Sequence, residues 1–335
     1  MNKKISVQWL LDGNPLTPQQ ASISNVASIR MRAALSMQLD IAGISVNVSP
    51  NLIINKDTNI IGVGKISLVN DSNKGEKWLN LIKHYKSKGA IIFIDYTDNH
   101  LRDSNKGSAL YDSYFKILSE SDYVVTSSLY LERSIKSKFN IKTFVIEDPL
   151  EIEILPVKNI LQESPTGLWF GHASNLNFLF SFLQNYNPKS KIRIVVMSNL
   201  DRIPPELIRT LEKSISPLID LVYTSWSIEN MKIAASLSDF CIIPCDIKDE
   251  RKAGVSSNRL ITALALGLPC FADNAESYIE FSDFYTPLSP NFTELFYINP
   301  DLFLKKTIHS QSMLLEKFSK QKIMGSWHKF FLNLF

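Results

Sequence analysis

The feature that most constrains this chain is a rhythm. Apolar runs of four to seven residues alternate with longer segments of helical period, and the alternation is laid down twice. The short runs, rich in Ile, Val and Phe, read as buried strands, and the longer segments read as helices with one apolar face. Alternation of the two is the pattern of βα units, which place a parallel sheet between helical layers. In the first half, strands are expected near Ile5–Leu11, Ile44–Val48, Ile60–Val63, Ala90–Asp95, Tyr123–Thr126 and Thr143–Ile146. Helices are expected over Asn25–Ile41, Lys74–Lys88, Gly107–Ser119 and Ser128–Lys138. The pattern lapses between Glu147 and Pro165, where three prolines and the loss of period suit a connection between domains.

The rhythm then restarts. Strands are expected at Gly167–Phe170, Ile192–Met197, Asp220–Tyr223, Phe240–Ile243 and Pro269–Ala272. Helices are expected near Leu176–Tyr186, Pro205–Lys213, Ile228–Ser236, Ser257–Leu266 and Ala275–Phe281. The fold class is therefore α/β, with two Rossmann-like doubly wound domains facing a central cleft: residues 1–150, a connection at 151–165, and residues 166–300. The tail, 301–335, reads as one or two amphipathic helices that either return to pack on the first domain or rest on anionic lipid; its apolar stripe favours packing.

Composition narrows the partners. With 335 residues, 45% of them hydrophobic and 21% charged, the chain supports a large core and is not a disordered, collagen-like or disulfide-stapled polypeptide. A net charge of +3, from 36 Lys and Arg against 33 Asp and Glu, provides no global basic field for nucleic acid. The start, MNKKISVQWLLDGNP, reads as a first strand and not as a signal peptide, because Gln8 interrupts the apolar stretch and Asp12 ends it. No window approaches the roughly 18 apolar residues of a spanning helix, so membrane contact is expected to be peripheral at most. Cys241, Cys245 and Cys270 are an odd number, two of them inside apolar runs, as expected of buried thiols in a reducing cytoplasm.

In doubly wound domains, ligands bind at loops beyond the carboxyl ends of the strands. The most informative such stretch is FCIIPCDIKDERKAGVSSNRLITALALGLPCFAD, Phe240 to Asp273. A buried strand ends at Pro244, a loop carries Arg251 and Lys252, and Ser256, Ser257 and Asn258 open a helix that closes at Gly267. A helix N-terminus offers free N–H groups and partial positive charge. With Lys252 before it and Arg259 in its first turn, it suits a diphosphate without a metal ion. Alternatively, Ser256 or Ser257 only caps the helix and the basic side chains are solvated.

This stretch resembles the donor-binding element of GT-B glycosyltransferases, in particular family 4, also written "group 1". GLWFGHASN, Gly167 to Asn175, is similar to the strand and glycine-containing loop that open the carboxy-terminal domain of that family. SWSIENMKIAASLSDFCIIP, Ser225 to Pro244, resembles the region that leads from the nucleobase loop into the donor loop. The resemblance covers Gly167–Asp273; the amino-terminal half matches by architecture alone. It implies a nucleotide-sugar donor, with Gly171 and His172 near phosphate or sugar, Trp226 and Ser227 near the base, and Lys252, Ser256, Ser257, Asn258 and Arg259 at the diphosphate. The family commonly carries two glutamates, whose positions here are Gly254 and Thr262, eight residues apart. Thr262 retains a hydroxyl for a ribose contact.

The resemblance puts the acceptor in the first domain. There IIFIDYTDNHL, Ile91 to Leu101, delivers Asp95, Asp98 and His100 to one loop at the end of a strand. Asp98 and His100 are the candidate bases for an acceptor hydroxyl in an inverting reaction, whereas a retaining reaction needs no such base. Arg30 is a candidate for an anionic acceptor group; it and Arg32 equally suit a solvated helix face. No cofactor or metal ion is expected.

The expected function is transfer of a sugar from a nucleotide-sugar to a polysaccharide or glycolipid acceptor in cell-surface glycan synthesis. The expected location is the cytoplasm, or the inner face of the membrane if the acceptor is lipid-linked. The alternatives are a GT-B transferase using a CMP-linked acidic sugar, and a catalytically silent GT-B binding or scaffold protein.

Overall fold

A computed structural model describes residues 5–12, 17–24, 26–49, 53–69, 71–158, 164–202, 204–250, 254 and 256–334. The chain divides into two compact units. The first comprises Met1–Pro149, Glu250–Ser256 and Phe318–Phe335; the second comprises Leu150–Asp249 and Ser257–Lys317. The tail is thus split: Asp301–Lys317 stays with the second unit, and only the final helix joins the first.

The first unit holds a parallel sheet of six described strands, β1 (Ile5–Leu10), β2 (Ile44–Val48), β3 (Ile60–Val63), β4 (Ile91–Tyr96), β5 (Tyr123–Thr126) and β6 (Lys142–Val145). They lie in the order β2-β1-β3-β4-β5-β6. The order reverses between β1 and β3, the place where such sheets bind ligands. β3 and β4 are almost wholly buried, because helices cover both faces of a parallel sheet. On one face Trp9 and Phe93 meet edge-on with ring centres 4.9 Å apart, and Trp327, Phe330 and Phe331 of the final helix pack over them. Those tail aromatics are buried in the core of the first unit, where no lipid reaches them.

The loop after β1 holds an element that the apolar pattern does not show, and one expected helix needs correction. The polar loop after β1 contains a short helix, Pro18–Ser22, capped by Thr17 Oγ1 accepting from Gln20 N at 3.2 Å, with Pro18 in its first turn. In place of one long helix over Asn25–Ile41 there is a π-helical turn at Ile29–Ala33 that runs into Ala34–Ser36; Asn25 lies outside the described residues.

The turn brings Arg32 inside. Arg32 is 1% exposed, so it does not belong to a solvated face. Its Nε donates to Asp95 Oδ2 at 2.8 Å, its Nη2 to Asp95 Oδ1 at 2.7 Å, and its Nη1 to Asp148 Oδ1 at 2.9 Å and Ile146 O at 2.6 Å. Burial opposes the guanidinium charge, but Asp95 and Asp148 outweigh it and its pKa lies above the ordinary value.

The second unit has the strands β7 (Thr166–Phe170), β8 (Ile192–Ser198), β9 (Ile219–Ser225), β10 (Phe240–Ile243), β11 (Cys270–Ala272) and β12 (Thr286–Pro287). All are parallel where paired, in the order β9-β8-β7-β10-β11-β12. This is the doubly wound order, with its reversal between β7 and β10. The core layers Trp169, Phe240, Phe271, Phe292 and Phe296. The helix Asn258–Ala265 ends at Gly267, whose φ of +76° favours glycine. A Cβ there would also lie 2.6 Å from Pro156 O.

Replacing Arg32 by Met leaves Asp95 buried without its counter-charge, which is expected to destabilise the protein by about 3–5 kcal/mol. The check is chemical denaturation of the full chain, with Arg32→Met/Asp95→Asn regaining part of the loss. A single variant as stable as the parent would show that the ion pair is not what holds these segments.

Candidate functional site

In the second unit the site forms at the carboxyl ends of β7 and β10. Three adjacent strand ends are joined: Gly171 N donates to Met197 O at 3.1 Å, Ser198 Oγ to Gly171 O at 2.8 Å, and Trp226 N to Ser198 O at 3.0 Å. The loops carrying Gly171, Ser198 and Trp226 are therefore neighbours, and Trp226 is half-buried beside them.

Arg259, in the first turn of the Asn258–Ala265 helix, reaches back to the same place. Its Nε donates to Phe170 O at 2.9 Å and its guanidinium carbon lies 5.3 Å from the centre of the Trp169 ring. Its Nη2 is buried and has no hydrogen-bond partner among the described residues. Gly171 lies against both groups: a Cβ there would stand 3.5 Å from the guanidinium carbon and 3.4 Å from the Trp169 ring, at ordinary contact distance. A fixed guanidinium with an uncommitted N–H, beside a helix N-terminus, is chemistry for an anionic oxygen.

The other candidates divide. His172 is exposed, and its Nδ1 accepts from Ser174 N at 3.2 Å and lies 3.0 Å from Ser174 Oγ. Ser227 Oγ accepts from Asn230 N at 3.0 Å and caps the helix Ile228–Leu237, so its hydroxyl serves the fold. Ser257 occupies the N-cap position of the donor helix but makes no side-chain cap bond, because its near-helical backbone (φ −69°, ψ 6°) directs the hydroxyl elsewhere. Thr262 is 5% exposed and its hydroxyl donates to Asn258 Oδ1 at 3.0 Å, which leaves Asn258 as the polar group of that pair at the helix start. Ser256 is half-buried and groups with the first unit. Arg251 and Lys252 lie outside the described residues.

Gly254 has a physical reason to lack a side chain. Within the first unit its carbonyl accepts from Ser128 Oγ at 2.8 Å, and a Cβ would fall 2.0 Å from Tyr130 Cδ1. A glutamate cannot stand there unless Tyr130 moves.

Asp273, at the end of β11, escaped the sequence reading although its position directly after an apolar run made it visible. It is half-buried, its Oδ2 accepts from Cys245 N at 2.8 Å, and burial pushes its carboxyl above the usual range. It fixes the backbone where β10 ends.

In the first unit, the loops after β3 and β4 bring Asp98 and His100 together with a residue the sequence did not single out. Lys65 Nζ lies 2.5 Å from Asp98 Oδ2, and His100 Nε2 lies 3.8 Å from the same oxygen. The side chain of Asp98 is 23% exposed and that of His100 12%, so Asp98 is the one that meets solvent. Asp95 faces Arg32 and is not part of this group. Arg30 Nη1 donates to Ser24 O at 2.5 Å. Among the described residues no group of three or more His, Cys, Asp and Glu is placed to hold a metal ion, and no helix is long and apolar enough to cross a membrane.

Comparison with known proteins adds a class of fold. No family model matches the sequence, and no curated protein matches it. Solved structures do: the chain has the α/β two-domain GT-B fold. It is similar to Anabaena HepE, solved with UDP and glucose, at TM-score 0.67 and 11% identity over 98% of this chain and 100% of that one. It is also similar to a glycosyltransferase from Rickettsia africae, at TM-score 0.55 and 13% identity over 98% of each chain. Staphylococcus aureus TarM, solved with UDP among its ligands, matches at TM-score 0.57 and 12% identity over 83% of this chain. The present chain spans just over half of TarM, 56% of its length.

If the uncommitted arm of Arg259 holds an anion, Arg259→Met should weaken pyrophosphate binding at least about tenfold, the scale of one charge-assisted hydrogen bond. Calorimetric titration reads this directly, and equal affinity in the two proteins would remove Arg259 from the site.

Proposed function

We propose that this protein is a nucleotide-sugar-dependent glycosyltransferase that acts on a cell-surface glycan. The observation that carries the reading is Arg259: its guanidinium is held against Trp169 and Phe170 O, one arm is unused, and it stands at the strand-order reversal of a doubly wound unit. In this reading the donor diphosphate takes that arm and the N–H groups opening the Asn258–Ala265 helix. Gly171 and His172 contact the phosphate or sugar, and the nucleobase lies against Trp226. That HepE and TarM were solved with UDP supports a uridine nucleotide.

The chemistry follows from charge. As the glycosidic bond to phosphate breaks, negative charge grows on the leaving oxygen, and a preplaced guanidinium and helix N-terminus stabilise it without reorganising. No metal is required in this reading, since those groups carry the neutralisation. The acceptor is a saccharide, free or lipid-linked, recognised by the first unit. Asp98 is the base that takes the hydroxyl proton, because its carboxylate is more exposed than the His100 imidazole beside it. The lipopolysaccharide outer core galactosyltransferase WaaB, at TM-score 0.52 and 12% identity over 84% of this chain and 76% of that chain, supports a cell-envelope glycan. A lipid-linked acceptor would place the protein at the inner face of the membrane.

The test is a panel of UDP-, GDP- and CMP-sugars scored by thermal shift and by nucleotide release, with and without EDTA. A UDP-sugar should stabilise the protein, EDTA should change turnover less than about twofold, and Arg259→Met should abolish the shift. Stabilisation by a CMP-sugar alone would replace the donor class, and no response to any sugar nucleotide would sink the enzyme reading. Asp98→Asn should lower turnover by at least about a hundredfold, the usual range for a general base, with the donor shift intact.

A further inference from the structure

The group Lys65, Asp98 and His100 is assembled from two loops that follow different strands, and one buried side chain ties those loops together. Tyr114 projects from the helix Ala109–Glu120 and is 1% exposed. Its hydroxyl accepts from Ile66 N at 2.9 Å, fixing the backbone next to Lys65. Its ring stacks on His100, with centres 4.3 Å apart and planes 14° from parallel. Tyr96 completes the clamp: its hydroxyl accepts from Leu101 N at 2.9 Å, and its ring stands edge-on to both His100 and Tyr114. Asn105 Nδ2 donates to His100 O at 3.0 Å and holds the loop from its far side.

We propose that Tyr114 is a positioning residue that sets the distance between the Lys65 ammonium and the Asp98 carboxylate, and that Lys65 thereby orients Asp98 toward the acceptor hydroxyl. The proposal rests on the reading of Asp98 as the acceptor base. A phenylalanine would fill the core equally well and stack equally well on His100. What it could not do is receive the Ile66 N–H, so the hydroxyl is the informative atom. Burial pushes the Tyr114 phenol well above its ordinary pKa, so it stays neutral and keeps its proton while accepting that bond. Lys65 and His100 compete for one carboxylate oxygen, so the position of the ammonium is readable at the imidazole.

The readout is the proton NMR titration of the His100 imidazole in the full-length protein, assigned by comparison with His100→Gln. The groups facing the ring are Asp98, Lys65, Tyr96 and Tyr114, with Arg102 on the same loop. Lys65 Nζ and His100 Nε2 lie 2.5 Å and 3.8 Å from the same oxygen, and removing a charge at a separation of about 6 Å in a wet site changes a protonation constant about threefold. Lys65→Met should therefore favour the imidazolium by about threefold, Lys65→Arg should restore the parental value, and Tyr114→Phe should move it in the same direction as Lys65→Met while thermal stability changes little. An unmoved titration in Tyr114→Phe, beside a clear shift in Lys65→Met, would reduce Tyr114 to core packing. An unmoved titration in both would overturn the proposal. Turnover of Asp98→Asn on the sugar-nucleotide panel tests the base reading separately: retained turnover with the expected NMR shifts would remove Asp98 as base and leave the positioning geometry standing.

Discussion

The first unit depends on one buried guanidinium. Arg32 joins three segments far apart in sequence: its own π-helical turn, the end of β4 through Asp95, and the strand exit at Ile146 and Asp148. A charge at that depth is tolerated only because its hydrogen-bonding capacity is met by carboxylates and a carbonyl, and removing either side strands the other. Trp327 from the end of the chain lies against the same guanidinium, 5.6 Å from it. The pair therefore specifies where β4 ends, and the loop that begins there carries Asp98 and His100.

The second unit handles its cation differently. Arg259 is neither buried outright nor fully engaged. One nitrogen is spent on Phe170 O, the plane rests on Trp169, and Nη2 is buried at the strand-order reversal without a hydrogen-bond partner among the described residues. A guanidinium preorganised in this way loses little conformational entropy on taking an anion, whereas a solvated lysine must be ordered at that moment. The two arginines differ in burial and in partner number: Arg32 has its donors met by two carboxylates and a carbonyl, whereas Arg259 Nη2 has no partner among the described residues.

Much of the fold was legible in the sequence. Eleven of the twelve described strands lie within about two residues of where the apolar runs place them, because a strand covered on both faces must be apolar throughout. β12 was not legible, since Thr286–Pro287 is two residues long and has no period. The π-helical turn escaped because three- and four-residue spacing describes α- and π-turns nearly alike. The short helix Pro18–Ser22 went unread as well, although Thr17 and Pro18 supply the cap and first-turn chemistry that starts it.

The site was legible in part, and the division has a physical cause. The βα rhythm, the loops at the strand ends, and the presence of Arg259, Gly171, Asp98 and His100 in them could be read along the chain, because these follow from local periodicity and from which residue types can carry charge. Only the tertiary structure decided what each does: that Ser227 spends its hydroxyl on a cap, that Thr262 gives its proton to Asn258, that Tyr130 occupies the space beside Gly254, and that Lys65 meets Asp98. A hydrogen bond or ion pair between distant residues leaves no periodic trace along the chain. Whether a polar group is used up or left open for a ligand depends on those partners, and packing alone brings them together.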